Sequence, residues 1–198
     1  MRLTFASPDL KRAGAFVVFA ADGGKLSASA ERLDKSTGGA LKRALKNSKF
    51  KGRKGQTWDG GQRVPCIIRW PGKINGGEET DALATTMDFL PSITNLIGGE
   101  LPSKKIDGID MSELFFSNKS TSKRESFLYY NEDELEAIRY KNWKLHFKKE
   151  GKLINELYDL GNDIGEEVNL YNENKEIVTE LSSLADDYRK SLGDKFYD

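Results

Sequence analysis

Side chains suited to nucleophilic or metal chemistry are scarce in this sequence. It has one cysteine, Cys66, and one histidine, His146. That excludes an internal disulfide and any zinc site built from several of either residue. Cys66 stands between Pro65 and Ile67, which predicts a buried small hydrophobe. His146 alternates with Leu145 and Phe147, which predicts a solvent-facing imidazole on a strand. Asp22 follows an apolar run, but one carboxylate does not make a Ca²⁺ site, which needs several converging oxygens. From Lys42 to Lys54 there are seven basic residues and no acid. Such a run suits a polyanion or nucleic-acid surface. Its single aromatic, Phe50, makes a solvated helix face the plainer reading.

The net charge of zero hides an asymmetry. Residues 1–56 carry 13 Lys/Arg and 4 Asp/Glu, a balance of +9, and residues 57–198 carry 18 and 27, a balance of −9. Two sources for the chain, or mutual attraction of its parts, would each produce this break. At 198 residues the length suits one domain or one and a half. No apolar run approaches the ~20 residues that span a bilayer. The segment Met1 to Phe5 lacks the apolar core of a signal peptide, so the chain as written reads as cytoplasmic.

Several elements must position these residues. Ala15 to Ala20 reads as a buried strand closed by Asp22-Gly23-Gly24. Residues 27–47 read as helix interrupted at Gly38-Gly39, and Val64 to Trp70 as a second strand ended by Pro71-Gly72. Asp81 to Ile97 has the best helical periodicity, with Gly98-Gly99 as the stop and Pro91 as a source of kinking. Asp107 to Phe116 is a loop running into a short helix, and Ser117 to Arg124 an exposed loop. Strands are predicted at Ser126–Tyr130, Glu136–Tyr140, Trp143–Phe147 and Glu156–Leu160, and their short connections favour antiparallel pairing. Asn172 to Leu192 is an amphipathic helix able to cover one face of that sheet.

The run Lys54-Gly55-Gln56-Thr57-Trp58-Asp59-Gly60-Gly61-Gln62-Arg63-Val64-Pro65, followed by Arg69-Trp70-Pro71-Gly72, resembles a stretch of the type I sulfatases. So do Met87-Asp88-Phe89-Leu90-Pro91, Asp107-Gly108-Ile109-Asp110, Ala137-Ile138-Arg139 with Trp143-Lys144-Leu145, and Leu157-Tyr158-Asp159-Leu160 with Glu166-Glu167-Val168-Asn169-Leu170. Five motifs in the family's order cover residues 54 to about 193. The resemblance implies an α/β class (α+β in the C-terminal part). The fold is then an incomplete alkaline-phosphatase-like sulfatase fold, ending in a small antiparallel sheet packed by a C-terminal helix.

Residues before this stretch resemble another family. Phe5 to Leu10, Val17 to Leu26, Leu33 to Leu41 and Phe50 to Thr57 are similar to the N-terminal domain of leucyl aminopeptidases. Both families share the string Lys-Gly-x-Thr, so a hybrid or misassembled reading frame would join near Lys54 to Thr57. The expected organisation is 1–56 aminopeptidase-like, 57–125 the end of the sulfatase large domain, and 126–198 the sulfatase C-terminal subdomain. A competing alignment takes Val17 to Gly24 as the sulfatase strand ending in Ser-Asp-Asn-Gly. Asp22 then matches a metal-binding Asp, with Gly23 where the family has Asn.

The sulfatase resemblance implies hydrolysis of sulfate esters, on a sulfated small molecule or carbohydrate, with Ca²⁺ in the parent family. Members are often periplasmic or secreted. Their nucleophile is a formylglycine made from Cys or Ser in Cys/Ser-x-Pro-x-Arg. The residues two places before the five prolines are Ala6, Arg63, Arg69, Phe89 and Glu100, so no such motif is present. The expectation is a chain that is inactive alone, holds no metal, and contributes no catalytic residue. Lys54 carries over as the lysine that contacts the substrate sulfate, where an ammonium stabilises developing charge. Asp59-Gly60-Gly61 reads as a turn needing positive φ, held by Arg63 through a salt bridge. The apolar Val64–Trp70 edge, without a large sheet, invites self-association. Alternatives are an aminopeptidase-like binding or oligomerisation module, or a polyanion binder through residues 42–54.

Overall fold

The computed structural model describes residues 20–21, 25–36, 38–39, 42, 50–53, 55–64, 66, 68, 70, 72–74, 80–116 and 121–194. The chain divides into two compact units, Met1–Ser48 with Val64–Lys123, and Lys49–Arg63 with Arg124–Asp198.

In the first unit, β1 (Ala20–Ala21) pairs antiparallel with β2 (Lys25–Leu26), and α1 (Ala28–Ser36) follows. Ser27 starts α1 by accepting the Ala30 N–H on its hydroxyl. Gly38 and Gly39, both at positive φ, end it, with Gly39 N–H closing on the Asp34 carbonyl at 2.7 Å. The predicted 81–97 helix is shorter. A 3₁₀ turn at Thr86–Asp88 leads into α3 (Phe89–Leu96), which follows α2 (Asp59–Gln62) of the second unit in chain order. Pro91 lies in the first turn of α3, where no intrahelical partner awaits its missing N–H, so it does not kink the helix. Asp88 fastens this start to the Asp107–Asp110 loop: its Oδ1 accepts the Ile109 N–H at 2.8 Å. The loop runs into α4 (Ser112–Phe116), as predicted.

The expected strand at Val64–Trp70 is not found at its described positions 64, 66, 68 and 70. A strand exists only with a ladder partner, and Val64 is instead 70% exposed. The remaining positions of that segment, like Val17 to Phe19, lie outside the described residues.

The second unit is a meander of β3 (Ser126–Asn131), β4 (Glu134–Tyr140), β5 (Trp143–Lys149) and β6 (Lys152–Asp159), paired antiparallel in chain order. Two-residue turns connect the strands, with Glu132, Lys141, Glu150 and Gly151 at positive φ, as tight hairpins require. On one face Ile138, Leu145 and Leu157 meet Val178, Leu181 and Ala185 of α5 (Lys175–Leu192). Each of the buried Ile, Leu and Val side chains contributes roughly 1.5–3 kcal/mol. Gly193 ends α5 in the left-handed conformation.

The opposite face is also covered. Pairing sets His146 beside Ala137 and Glu156, and Lys144 beside Arg139 and Tyr158. Residues 50–53 and 55–63, with the short helix α2 (Asp59–Gln62), make their contacts on this face. We call them the strap. Trp143–Phe147 was expected to be half-buried, but Lys144, Leu145 and His146 are all buried, because each face has its own cover.

Candidate functional site

The strap is shaped by close backbone approaches. Arg53 O accepts the Gln56 N–H at 3.0 Å, and Gln56 Oε1 accepts the Arg53 N–H at 3.1 Å. Gly60 N–H donates to Lys51 O at 2.8 Å and Gly61 N–H to Trp58 O at 2.8 Å. The glycine pair was expected to supply positive φ, but neither is in that region. Both are glycine because there is no room: a Cβ on Gly60 would lie 2.6 Å from both Gly52 O and Lys51 O, and one on Gly61 would overlap Gln56 O. Gly52 does carry positive φ, +88°. Arg63 Nη1 reaches Asp59 Oδ2 at 3.8 Å, the salt bridge expected of it.

Beneath the strap lies a sealed charge network. Lys144 Nζ donates to Asp59 Oδ1 at 2.7 Å and approaches Glu166 Oε1 at 3.0 Å. Glu166 Oε2 accepts the Asp59 N–H at 2.8 Å. His146 Nε2 lies 3.0 Å from Glu166 Oε1. A carboxylate only accepts, so Nε2 carries the hydrogen. Burial, reinforced by the Lys144 charge, pushes the His146 imidazolium down and keeps the ring neutral despite Glu166. Burial works to raise Glu166, but the His146 hydrogen bond, Lys144 and the Asp59 amide outweigh it and hold the carboxyl below its ordinary range. The Lys144 ammonium also sits 4.4 Å from the Tyr129 ring.

Further bonds fix the strap's ends. Thr57 Oγ1 donates to Glu136 Oε2 at 2.7 Å, while Glu136 Oε1 accepts from Asn131 and from the Glu150 N–H. Those donors lower the Glu136 carboxyl against the opposing effect of burial. Lys51 Nζ donates to Tyr158 OH and to Glu166 O. The Trp58 ring lies 4.0 Å from the His146 ring at 32°, with Lys51 Nζ 3.9 Å over it. Burial and the Glu156 carboxylate, which accepts the Tyr158 hydroxyl at 2.6 Å, push the Tyr158 phenol up.

Lys54 lies outside the described residues, as does Asp22. Arg53 and Gly55, which flank Lys54 in sequence, are exposed. Cys66 is exposed, not the buried hydrophobe expected, since its segment forms no strand at the described positions to enclose it. His146 is fully buried, because the strap covers the face that would otherwise meet solvent. Among the described residues no three His, Cys, Asp or Glu side chains form a metal-binding group. The buried carboxylates Asp59 and Glu166 are occupied by Lys144, so this donor set does not fit Ca²⁺. No helix among the described residues is long and apolar enough to cross a membrane. Sequence reasoning missed Lys144, Glu136 and Glu166 as a unit. The available signal was Glu136 beside Ala137 and Ile138, and Lys144 and His146 interleaved with Trp143, Leu145 and Phe147.

Likeness to solved proteins assigns this fold to the sulfatases. The structure resembles PsFucS1 sulfatase from Pseudoalteromonas sp. with a TM-score of 0.65 at 23% identity, over 75% of this chain and 34% of that one. It also resembles a protein solved with its substrate D-glucosamine-2-N,6-O-disulfate, with a TM-score of 0.53 at 25% identity, over 66% of this chain and 28% of that one. The N-sulphoglucosamine sulphohydrolase, C-terminal family matches residues 53–191, and the chain belongs to it. Residues 17–59 match the cytosol aminopeptidase family, N-terminal domain. Human arylsulfatase A is 31% identical over 178 residues, covering 78% of this chain and 33% of that protein. Mouse steryl-sulfatase is 36% identical over 106 residues, covering 51% of this chain and 17% of that protein. The chain thus spans a third or less of these relatives. The two family matches overlap at residues 53–59, which include Lys54 to Thr57.

Proposed function

We propose that this chain is the C-terminal segment of a sulfuric ester hydrolase acting on sulfated carbohydrate, and that Lys54 supplies an ammonium to the substrate sulfate. The observation that carries this reading is the anchored strap. The residues on both sides of Lys54 are fixed to the C-terminal sheet, through Lys51 on Tyr158 and Thr57 on Glu136. A cation presented from a rigid base can meet charge that develops in the transition state without reorganising first. The relative solved with glucosamine disulfate supports the substrate class.

The nucleophile would come from outside this segment, and Ca²⁺ is assigned to none of its described residues. The chain by itself is therefore expected not to turn over sulfate esters. The sulfatase and aminopeptidase matches are proposed to meet within the strap, leaving residues 57–125 and 126–198 as successive sulfatase parts. Of the basic run 42–54, Lys51 is already engaged by Tyr158 OH and the Trp58 ring, which leaves less charge for a polyanion.

The test grafts residues 50–194 into a sulfatase in place of its own C-terminal segment and follows hydrolysis of an aryl sulfate. Turnover by the graft, lowered about 10²–10³-fold by Lys54→Ala, is expected. Equal turnover with and without Lys54, or turnover by the ungrafted chain, would overturn the reading.

A further inference from the structure

Nδ1 of His146 is a buried side-chain nitrogen with no hydrogen-bond partner among the described residues. Its Nε2–H is committed to Glu166. Acid therefore delivers a proton to the one ring atom with nowhere to donate it. The added charge would sit among groups from every element packed against the ring. Glu166 faces it from the segment after β6, Lys144 from its own strand β5, and Glu156 and Tyr158 from β6. Trp58 faces it from the strap, with Lys51 and Lys149 against that indole. Asp59, with Arg63 beside it, and Tyr129 of β3 lie one step away through Lys144.

We propose that residues 50–63 are an acid-releasable strap, locked on the sheet by the neutral form of His146. Release needs no loss of the main core. The cluster under α5 contains no strap residue, whereas the strap's own cluster is Trp58, Tyr158 and Leu160. The direction follows from linkage. His146 is harder to protonate when covered than when exposed, so the lock is whole above the ordinary histidine value near 6.5. It weakens as pH falls below that value. Each pH unit in that window raises the ratio of released to seated strap by up to about tenfold. This inference does not depend on the sulfate-ester reading.

His146 is the sole histidine, so its ring resonances in the full chain are unambiguous. The Nε2–H tautomer at pH 7.5 and a titration midpoint below 6.5 are expected. An Nδ1–H tautomer, or a midpoint at or above 6.5, overturns the proposal. Amide exchange then reads the strap directly. Exchange at Asp59, whose N–H is held by Glu166 across the seam, corrected for its intrinsic rate, should accelerate relative to Ile138 and Leu145 by up to about tenfold between pH 6.5 and 5.5. A constant ratio overturns it. His146→Gln keeps a donor for Glu166 and has no proton to gain, so its ratio should not vary with pH. A persisting response would assign the effect to another group and overturn the proposal. If this variant fails to fold, the two measurements on the unsubstituted chain decide.

Discussion

Lys144 Nζ and Asp59 Oδ1 lie 2.7 Å apart, 85 residues apart in sequence, with both side chains closed to water. This pair joins the strap to β5. Its geometry does not mean that it adds much net stability, because desolvation of two ions offsets most of their attraction. Its importance lies in what happens when one partner is removed.

Lys144→Met should cost about 3–5 kcal/mol, since it leaves Asp59 and Glu166 buried with no ammonium between them. Urea unfolding of the full chain measures this. A cost below about 1 kcal/mol would mean that the carboxylates reach water and the network is not sealed. Lys144→Arg should not rescue fully, because a planar fork does not reproduce a point donor shared by two carboxylates.

Glu166 provides a sharper test. It adopts φ +54°, a conformation where glycine is at ease and glutamate is strained. On backbone grounds alone Glu166→Gly would gain about 1–2 kcal/mol. It would also remove the acceptor of His146, Lys144 and the Asp59 amide. The expected outcome is net destabilisation of about 2–4 kcal/mol. A stabilised variant would show that the carboxylate is dispensable and the strain has no counterpart.

Acid should act again below the histidine range, through carboxyls. Glu136 and Glu166 are both held below their ordinary values in the folded chain. A carboxyl with a depressed folded value stabilises fully above its unfolded value, near 4.5, and loses that contribution as pH falls through the folded one. Stability measured by urea at successive pH values should therefore drop between about pH 5 and 3. The drop should shrink in Glu136→Gln. An unchanged slope in that variant would remove Glu136 from the acid response.

The meander and α5 were legible because Leu181, Leu184, Ala185 and Tyr188 recur at helical spacing, and because two-residue links such as Lys141-Asn142 leave little choice but antiparallel pairing. The second cover was not. Period-two alternation marks one buried face, and His146 looked outward because the strap comes from more than 80 residues upstream, beyond any local signal. Cys66 and Val64 failed for the converse reason. An apolar run predicts burial only if a partner strand exists, and none pairs with their segment at the described positions. The Asp59-Gly60-Gly61 motif was legible as glycine-dependent, but the cause, carbonyl oxygens pressed against both Cα atoms, needs coordinates.

That cause separates two glycines of the same strap. A methyl on Gly61 would lie 2.5 Å from Arg53 O and overlap Gln56 O, both rigid backbone. Gly61→Ala should therefore push α2 off the turn at Arg53–Gln56 and weaken the Trp58–His146 stack. Gly55 has open space around the equivalent position, and only its φ of +88° opposes a side chain. Gly55→Ala should cost about 1–2 kcal/mol, the usual penalty for a left-handed alanine, and leave the stack in place. Fluorescence of the buried Trp58, with Trp70 and Trp143 replaced by Phe, separates the two: a red shift at neutral pH is expected for Gly61→Ala and not for Gly55→Ala. Identical spectra for the two variants would mean that the strap tolerates displacement at α2, and that its glycines serve conformation alone.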